Sequence, residues 1–169
     1  QAIRNCRCRF DSVEIILNFG TFASNLPSDF TQFSMKTFAI RLHPGQDLKA
    51  EVLSFCKSQG LQAACVLTCV GSLTKTALRL AGKDQIKVWE EKMEILSLVG
   101  TIAADGAHLH LSIADANGQA FGGHLVEGCL IYTTAEIVLG ELEDVKFLRV
   151  VDPATGYKEL EIGKRVGEQ

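Results

Sequence analysis

From Met35 onward, apolar and polar residues alternate in short runs broken by turn residues, the period-2 signature of half-buried strands. Residues 37–42, Thr-Phe-Ala-Ile-Arg-Leu, form the first clean run, and His43-Pro44-Gly45 closes it, with His43 reading as a turn residue. Leu48, Val52, Phe55 and Cys56 then recur at helical spacing. Asp47 stands where a capping carboxylate belongs, and Gly60 suits the left-handed position past the last turn. This predicts a packed amphipathic helix with Lys49, Glu51 and Lys57 in water. The remainder reads as strands over 63–70, 76–81, 87–92, 93–102, 108–114, 119–126, 130–139, 147–151 and 157–162, most of them separated by Gly, Asn-Gly, Lys-Asp or Pro-containing turns. One helix against many short, mainly antiparallel strands predicts an α+β domain, not a parallel doubly wound sheet.

Three parts follow from this pattern. Residues 1–34 lack a convincing period and are expected to be a poorly ordered extension or one short helix, with Met35 as the natural start. Residues 35–163 form the domain, and 164–169 a C-terminal tail. The runs 95–99 and 130–139 are too apolar for strands with one wet face, so both faces should be covered. A partner chain does this in a closed oligomer; the helix or a second layer of the same sheet would do it equally well.

Composition narrows the function classes. The chain has 169 residues, 47% of them hydrophobic and 22% charged, which suits one soluble domain with a sizeable core. A net charge of −3 supplies no overall positive field for nonspecific nucleic-acid binding. No run of about 18 apolar residues is present to cross a membrane as a helix. The six cysteines, Cys6, Cys8, Cys56, Cys65, Cys69 and Cys129, contain no CxxC pair and sit mostly in apolar segments. A reducing, intracellular and cytoplasmic setting is therefore expected, with the nucleus as the other compartment.

Candidate chemistry concentrates between Gly106 and His124, where His108, His110 and His124 place three of the four histidines within 17 residues on a predicted β-hairpin. Residues two apart on a strand share a face, so His108 and His110 lie together while Leu109 and Leu111 face the core. Whether His124 joins them depends on the turn. A three-residue loop 116–118 with a left-handed Gly118 pairs His110 with His124, whereas a two-residue Asn117-Gly118 loop sends His124 to the other face. In the first register three imidazoles can converge on a divalent ion and leave an open position, where a bound water would become more acidic. Zinc is the first choice, although iron, nickel and copper accept imidazole equally. The competing reading is a set of polar residues hydrogen-bonded on a half-exposed sheet. Gly122 and Gly123 are candidate ligand-binding positions, through a bulge or a close backbone approach beside His124.

No catalytic residue is assigned. Ser72 and Thr74 follow Gly71 in an expected turn without a base nearby in sequence. Glu94 could act as an acid or base near the histidines if the strands adjoin but is expected to pair with Arg79, Glu127 is expected to be solvated, and Trp89 to end an exposed strand where its ring could anchor a subunit contact.

The segments Val70-Gly-Ser-Leu, Glu94-Ile-Leu-Ser-Leu-Val-Gly-Thr-Ile, Gly106-Ala-His-Leu-His, Gly118-Gln-Ala-Phe-Gly-Gly-His-Leu and Gly128 together resemble the PPC domain, also called DUF296. The likeness runs from about residue 35 to residue 162. It implies an α+β fold, a homotrimer and a biochemical role that is incompletely defined. His108, His110 and His124 resemble the divalent-metal trio of stand-alone members. The plant AT-hook nuclear proteins carry the same domain behind an Arg-Gly-Arg-Pro hook; this chain has no such hook, and Arg4, Arg7 and Arg9 do not replace it. The expectation is a homotrimeric binding or assembly module holding a metal or small ligand, without turnover. A metal-dependent enzyme on a small metabolite and a nuclear DNA-associated protein are the alternatives.

Overall fold

The computed structural model describes residues 6–10, 13–17 and 35–165, in two compact units that divide between residues 32 and 33. In the first unit β1 (Cys6–Phe10) pairs antiparallel with β2 (Val13–Leu17), where the sequence suggested at most a short helix.

The second unit runs β3 (Met35–Leu42), α1 (Leu48–Ser58), β4 (Ala63–Arg79), β5 (Ile86–Trp89), β6 (Met93–Ala103), β7 (Gly106–Ala114), β8 (Ala120–Leu125), β9 (Leu130–Leu142), β10 (Val145–Val151) and β11 (Lys158–Lys164). The last strand extends one residue into the segment expected to be tail. The helix is only 11 residues long and buries Leu48, Val52 and Cys56 against the sheet. Lys57 is exposed as expected, whereas Lys49 and Glu51 are half-buried. Asp47 caps the helix, accepting from Ala50 N–H at 2.9 Å through Oδ1, and its Oδ2 accepts from Gly128 N–H at 2.6 Å. The cap therefore also ties the helix to the β8–β9 connection.

The main sheet is antiparallel and seven-stranded, in the order β3-β9-β4-β6-β7-β8 with β5 on β4. β8 returns to the end of β4, pairing Leu125 with Leu78 and His124 with Arg79. The strands β4, β6, β7 and β8 thus close on themselves, and this curl brings the histidine hairpin to the far end of β4. Leu73, Leu78, Ile113, Leu125 and Ile137 fill the interior. β10 and β11 form a separate two-stranded sheet, with Val145 and Phe147 packed on Ala63 and Ala103.

Several sequence expectations change here. The two strands expected over 63–70 and 76–81 are one 17-residue strand, and Ser72 and Thr74 lie within it, not in a turn. At Gly71, with φ +152°, a Cβ would collide with the Thr134 carbonyl, so glycine lets β9 stay close while β4 passes through register shifts. Ser72 Oγ is held by Thr133 Oγ1 at 2.8 Å. Trp89 is buried, its ring 5.6 Å from that of Phe121, so it belongs to the core of its own chain. Along β6, Ile95 and Leu98 face inward, while Leu96 and Val99 are 54% and 53% exposed. Cys56, Cys69 and Cys129 are free and buried, and burial raises their thiols to about 11, 12 and 11. They are packing residues.

Candidate metal centre

The loop after β7 decides which histidines meet. Asp115 N–H donates to the Gln119 carbonyl at 3.1 Å, and Gly118 N–H to the Asp115 carbonyl at 3.0 Å. Gly118 has φ +77°, and Asp115 Oδ1 accepts from the N–H groups of Asn117 and Gln119. This is the three-residue loop of the first register, and it sets His110 directly opposite His124. Pairing between β7 and β8 is regular from Ala114–Ala120 to His110–His124. No bulge interrupts Gly122-Gly123.

Leu109 and Leu111 are buried on the core side, and the imidazoles gather on the other. Ring centroids lie 5.0 Å apart for His108 and His110, 5.2 Å for His108 and His124, and 5.7 Å for His110 and His124. One nitrogen from each ring falls within 4.8 Å of the other two. His108 Nε2 and His110 Nε2 are 3.2 Å apart. Zinc–nitrogen bonds of about 2.0–2.1 Å in a tetrahedron put ligand nitrogens roughly 3.3 Å apart, so this pair already has ligand spacing. His124 Nδ1 is buried and has no hydrogen-bond partner. A buried polar atom left so costs about 1–3 kcal/mol, which a ligand or ordered partner would relieve. The donor set therefore fits a divalent ion.

Electrostatics keep these rings ready to ligate. Burial, followed by the nearby positive charge of Arg79 and the other two imidazoles, lowers His124 to about 4. Burial first, then His110 and Arg149, also lower His108, while Glu159 opposes them. Both therefore present unprotonated nitrogens at neutral pH, the form that binds metal.

Gly123 packs where β8 meets β4: a Cβ there would lie 2.8 Å from the Arg79 carbonyl oxygen. Gly122 is exposed on the histidine face, and both glycines line a hollow of about 420 Å³ with His110, His124 and Arg79. A larger cleft of about 480 Å³ opens on the other side, walled by His108 and His124 and reached by Arg79, Arg149 and Glu159. Local sequence pattern does not single out Arg149 or Glu159 for this site, because they arrive on β10 and β11.

Glu94 does not serve the site or pair with Arg79. It sits opposite Ser72 on β4, seven positions from Arg79, a separation of about 23 Å along the strand. Glu127 is exposed beyond the end of β8. His43 lies in the β3–α1 turn, away from the cluster, as its turn context predicted. Cys6 and Cys8 are on β1, where side chains lie outside the described residues.

Residues 30–143 match the model of the Plants and Prokaryotes Conserved (PCC) domain. The bifunctional protein GlmU of Synechococcus sp. (strain JA-3-3Ab) is 50% identical over 145 residues, covering 86% of this chain and 23% of that protein. The chain thus spans less than a quarter of the length of this relative. The AT-hook motif nuclear-localized protein 13 of Arabidopsis thaliana is 30% identical over 115 residues, covering 60% of the chain and 25% of that protein. Among solved structures, a hypothetical protein of Salmonella enterica superposes with a TM-score of 0.78 at 38% identity, covering 80% of this chain and 99% of that one. The PPC resemblance and this family model describe the same domain, and the chain belongs to the Plants and Prokaryotes Conserved domain family.

Proposed function

We propose that this domain is a homotrimeric binding module whose His108, His110 and His124 hold a divalent metal ion, zinc first, with an open coordination position for a small ligand. The observation that carries the reading is the convergence of three imidazole nitrogens within 4.8 Å from a single hairpin. The two rings lowered by burial would give up no proton on binding metal at neutral pH. When bound, the ion would act as a Lewis acid for an oxygen donor in its open position. The side chains do the rest: the β7–β8 register fixes the ring positions, and burial, with Arg79 second, keeps His124 deprotonated.

Trimer formation draws support from the outer sheet face, where Val70, Leu96 and Val99 are 56%, 54% and 53% exposed. Apolar residues side by side on a sheet favour burial against identical subunits. A module of this kind also suits attachment to larger proteins, as the partial match to the Synechococcus protein illustrates.

A metal-dependent enzyme is the second reading, favoured by one observation: Glu159 shares the cleft with His108 and His124 and could move a proton there. Among the described residues no helix is long and apolar enough to cross a membrane. A cytoplasmic location remains the reading drawn from the free cysteines.

Elemental analysis and light scattering on untagged protein test the proposal, comparing wild type with the triple alanine variant of His108, His110 and His124. The expected result is one metal per chain in a trimer, lost in the variant. A metal-free wild type, or unchanged occupancy in the variant, overturns the metal assignment. A monomer overturns the assembly.

A further inference from the structure

We propose that the cleft beside the histidines binds a small molecule through a carboxylate group. Its volume of about 480 Å³ falls within the range of small-ligand sites, roughly 300–1,000 Å³. Arg79 at the end of β4, Lys83 in the β4–β5 turn, Arg149 on β10 and Lys158 on β11 bring four cations to its lining. Asp84, Asp105 and Glu159 bring three carboxylates. Four cations against three carboxylates leave the lining net positive, which favours an anionic ligand.

Arg149 separates this cleft from a merely charged rim. The residue is only 9% exposed, yet it lines the cleft. Its backbone N–H donates to Asp105 Oδ2 at 3.2 Å. Nη2 donates to the Thr101 carbonyl at 3.3 Å and to Thr101 Oγ1, so one end of the guanidinium is anchored on β6. Nε is buried without an acceptor. Neither ion pair seen among the described residues, Lys75 with Glu90 or Arg165 with Glu141, involves this guanidinium. With Nη2 held by Thr101, the guanidinium is fixed in place and keeps its charge without a counter-ion, so it can take a carboxylate from the cleft in a single charge-assisted hydrogen bond. Arg79 lines the same cleft from the β4 end that pairs with His124, so a ligand held by Arg149 shares the cleft with the histidines.

This inference does not depend on metal occupancy, and the test uses metal-free protein. Acetate, succinate and inorganic phosphate are titrated separately into the isotope-labelled full chain, with sodium chloride at matched ionic strength as the control, while amide resonances are followed. Acetate and succinate are expected to cause saturable shifts centred on Gly106, Ala107 and Arg149, with affinity about tenfold weaker in Arg149→Gln and in Arg79→Gln. Arg79 is half-buried, so its variant keeps the test valid if the Arg149 variant fails to fold. Shifts no larger than those caused by chloride, or affinity unchanged in a folded variant, overturn the site. Tighter binding of phosphate than of either carboxylate overturns the ligand class.

Discussion

His110 on β7 and His124 on β8 are direct cross-strand partners, and the three-residue loop between Asp115 and Gln119 makes them so. A strand presents alternate residues to opposite faces, so a slip of one position would place His124 on the core side. The candidate metal centre therefore depends on loop length as much as on histidine identity. Deleting Ala120, which keeps the 116–118 loop but moves the rest of β8 by one place so that His124 falls opposite Leu111, is expected to abolish metal binding while the hairpin still forms. Elemental analysis alongside far-UV circular dichroism checks this; full metal occupancy in the deletion variant would refute the register argument.

Acid should weaken the metal-free protein through His124. Its pKa is lowered from 6.5 to about 4 by burial, Arg79 and the neighbouring imidazoles. Between those values the unfolded chain binds more protons than the folded one, so stability rises with pH. The contribution is complete above about pH 6.5 and is lost as pH falls towards 4. Thermal midpoints across this window should drop on acidification, and His124→Gln should flatten the slope. An unchanged slope in that variant would assign the acid sensitivity elsewhere.

Adjacent glycines should behave differently. A methyl group at Gly123 meets the Arg79 carbonyl oxygen at 2.8 Å and Leu78 Cβ at 3.4 Å, prying β8 from β4. Gly123→Ala is expected to cost about 1–3 kcal/mol in urea unfolding, the usual range for overpacking. At Gly122 the nearest atoms, the Leu111 carbonyl oxygen and Ser112 Oγ, are at 3.3 Å. Gly122→Ala should therefore cost less than its neighbour, and the reverse order would contradict the packing described.

Asp47 does two jobs with one carboxylate, capping α1 at Ala50 and accepting from Gly128. Removing a helix cap costs about 0.5–2 kcal/mol, and orphaning a second partly buried N–H adds to that. Asp47→Ala should exceed an ordinary cap deletion in equilibrium unfolding, with Asp47→Ser, which keeps one acceptor for the cap, falling between it and the wild type. A loss below about 0.5 kcal/mol would show that neither bond matters.

The exposed apolar residues of β6 test the proposed assembly. Leu96→Glu places a charge on the outer face without touching the inward-facing Ile95 and Leu98. It should reduce the solution mass about threefold at micromolar concentration, because burying an unpaired carboxylate is costly. A trimer unaffected by the substitution would move the interface to another face.

Local chemistry in the sequence was enough for the hairpin that carries the histidines. Alternation places His108 and His110 opposite Leu109 and Leu111, and the position of Gly118 allows the loop that pairs His110 with His124. The same local reading found α1 and its Asp47 cap, and the combined motifs pointed to the family. Tertiary structure alone decided that β4 is one strand, because the breaking signal at Gly71 is overridden by pairing with β9. It also turned Trp89 into the core, parted Glu94 from Arg79, and carried Arg149 and Glu159 to the histidine wall. These depend on strand closure and on sheets meeting across long stretches of chain. Periodicity records which face a residue takes, but not which distant strand will stand beside it.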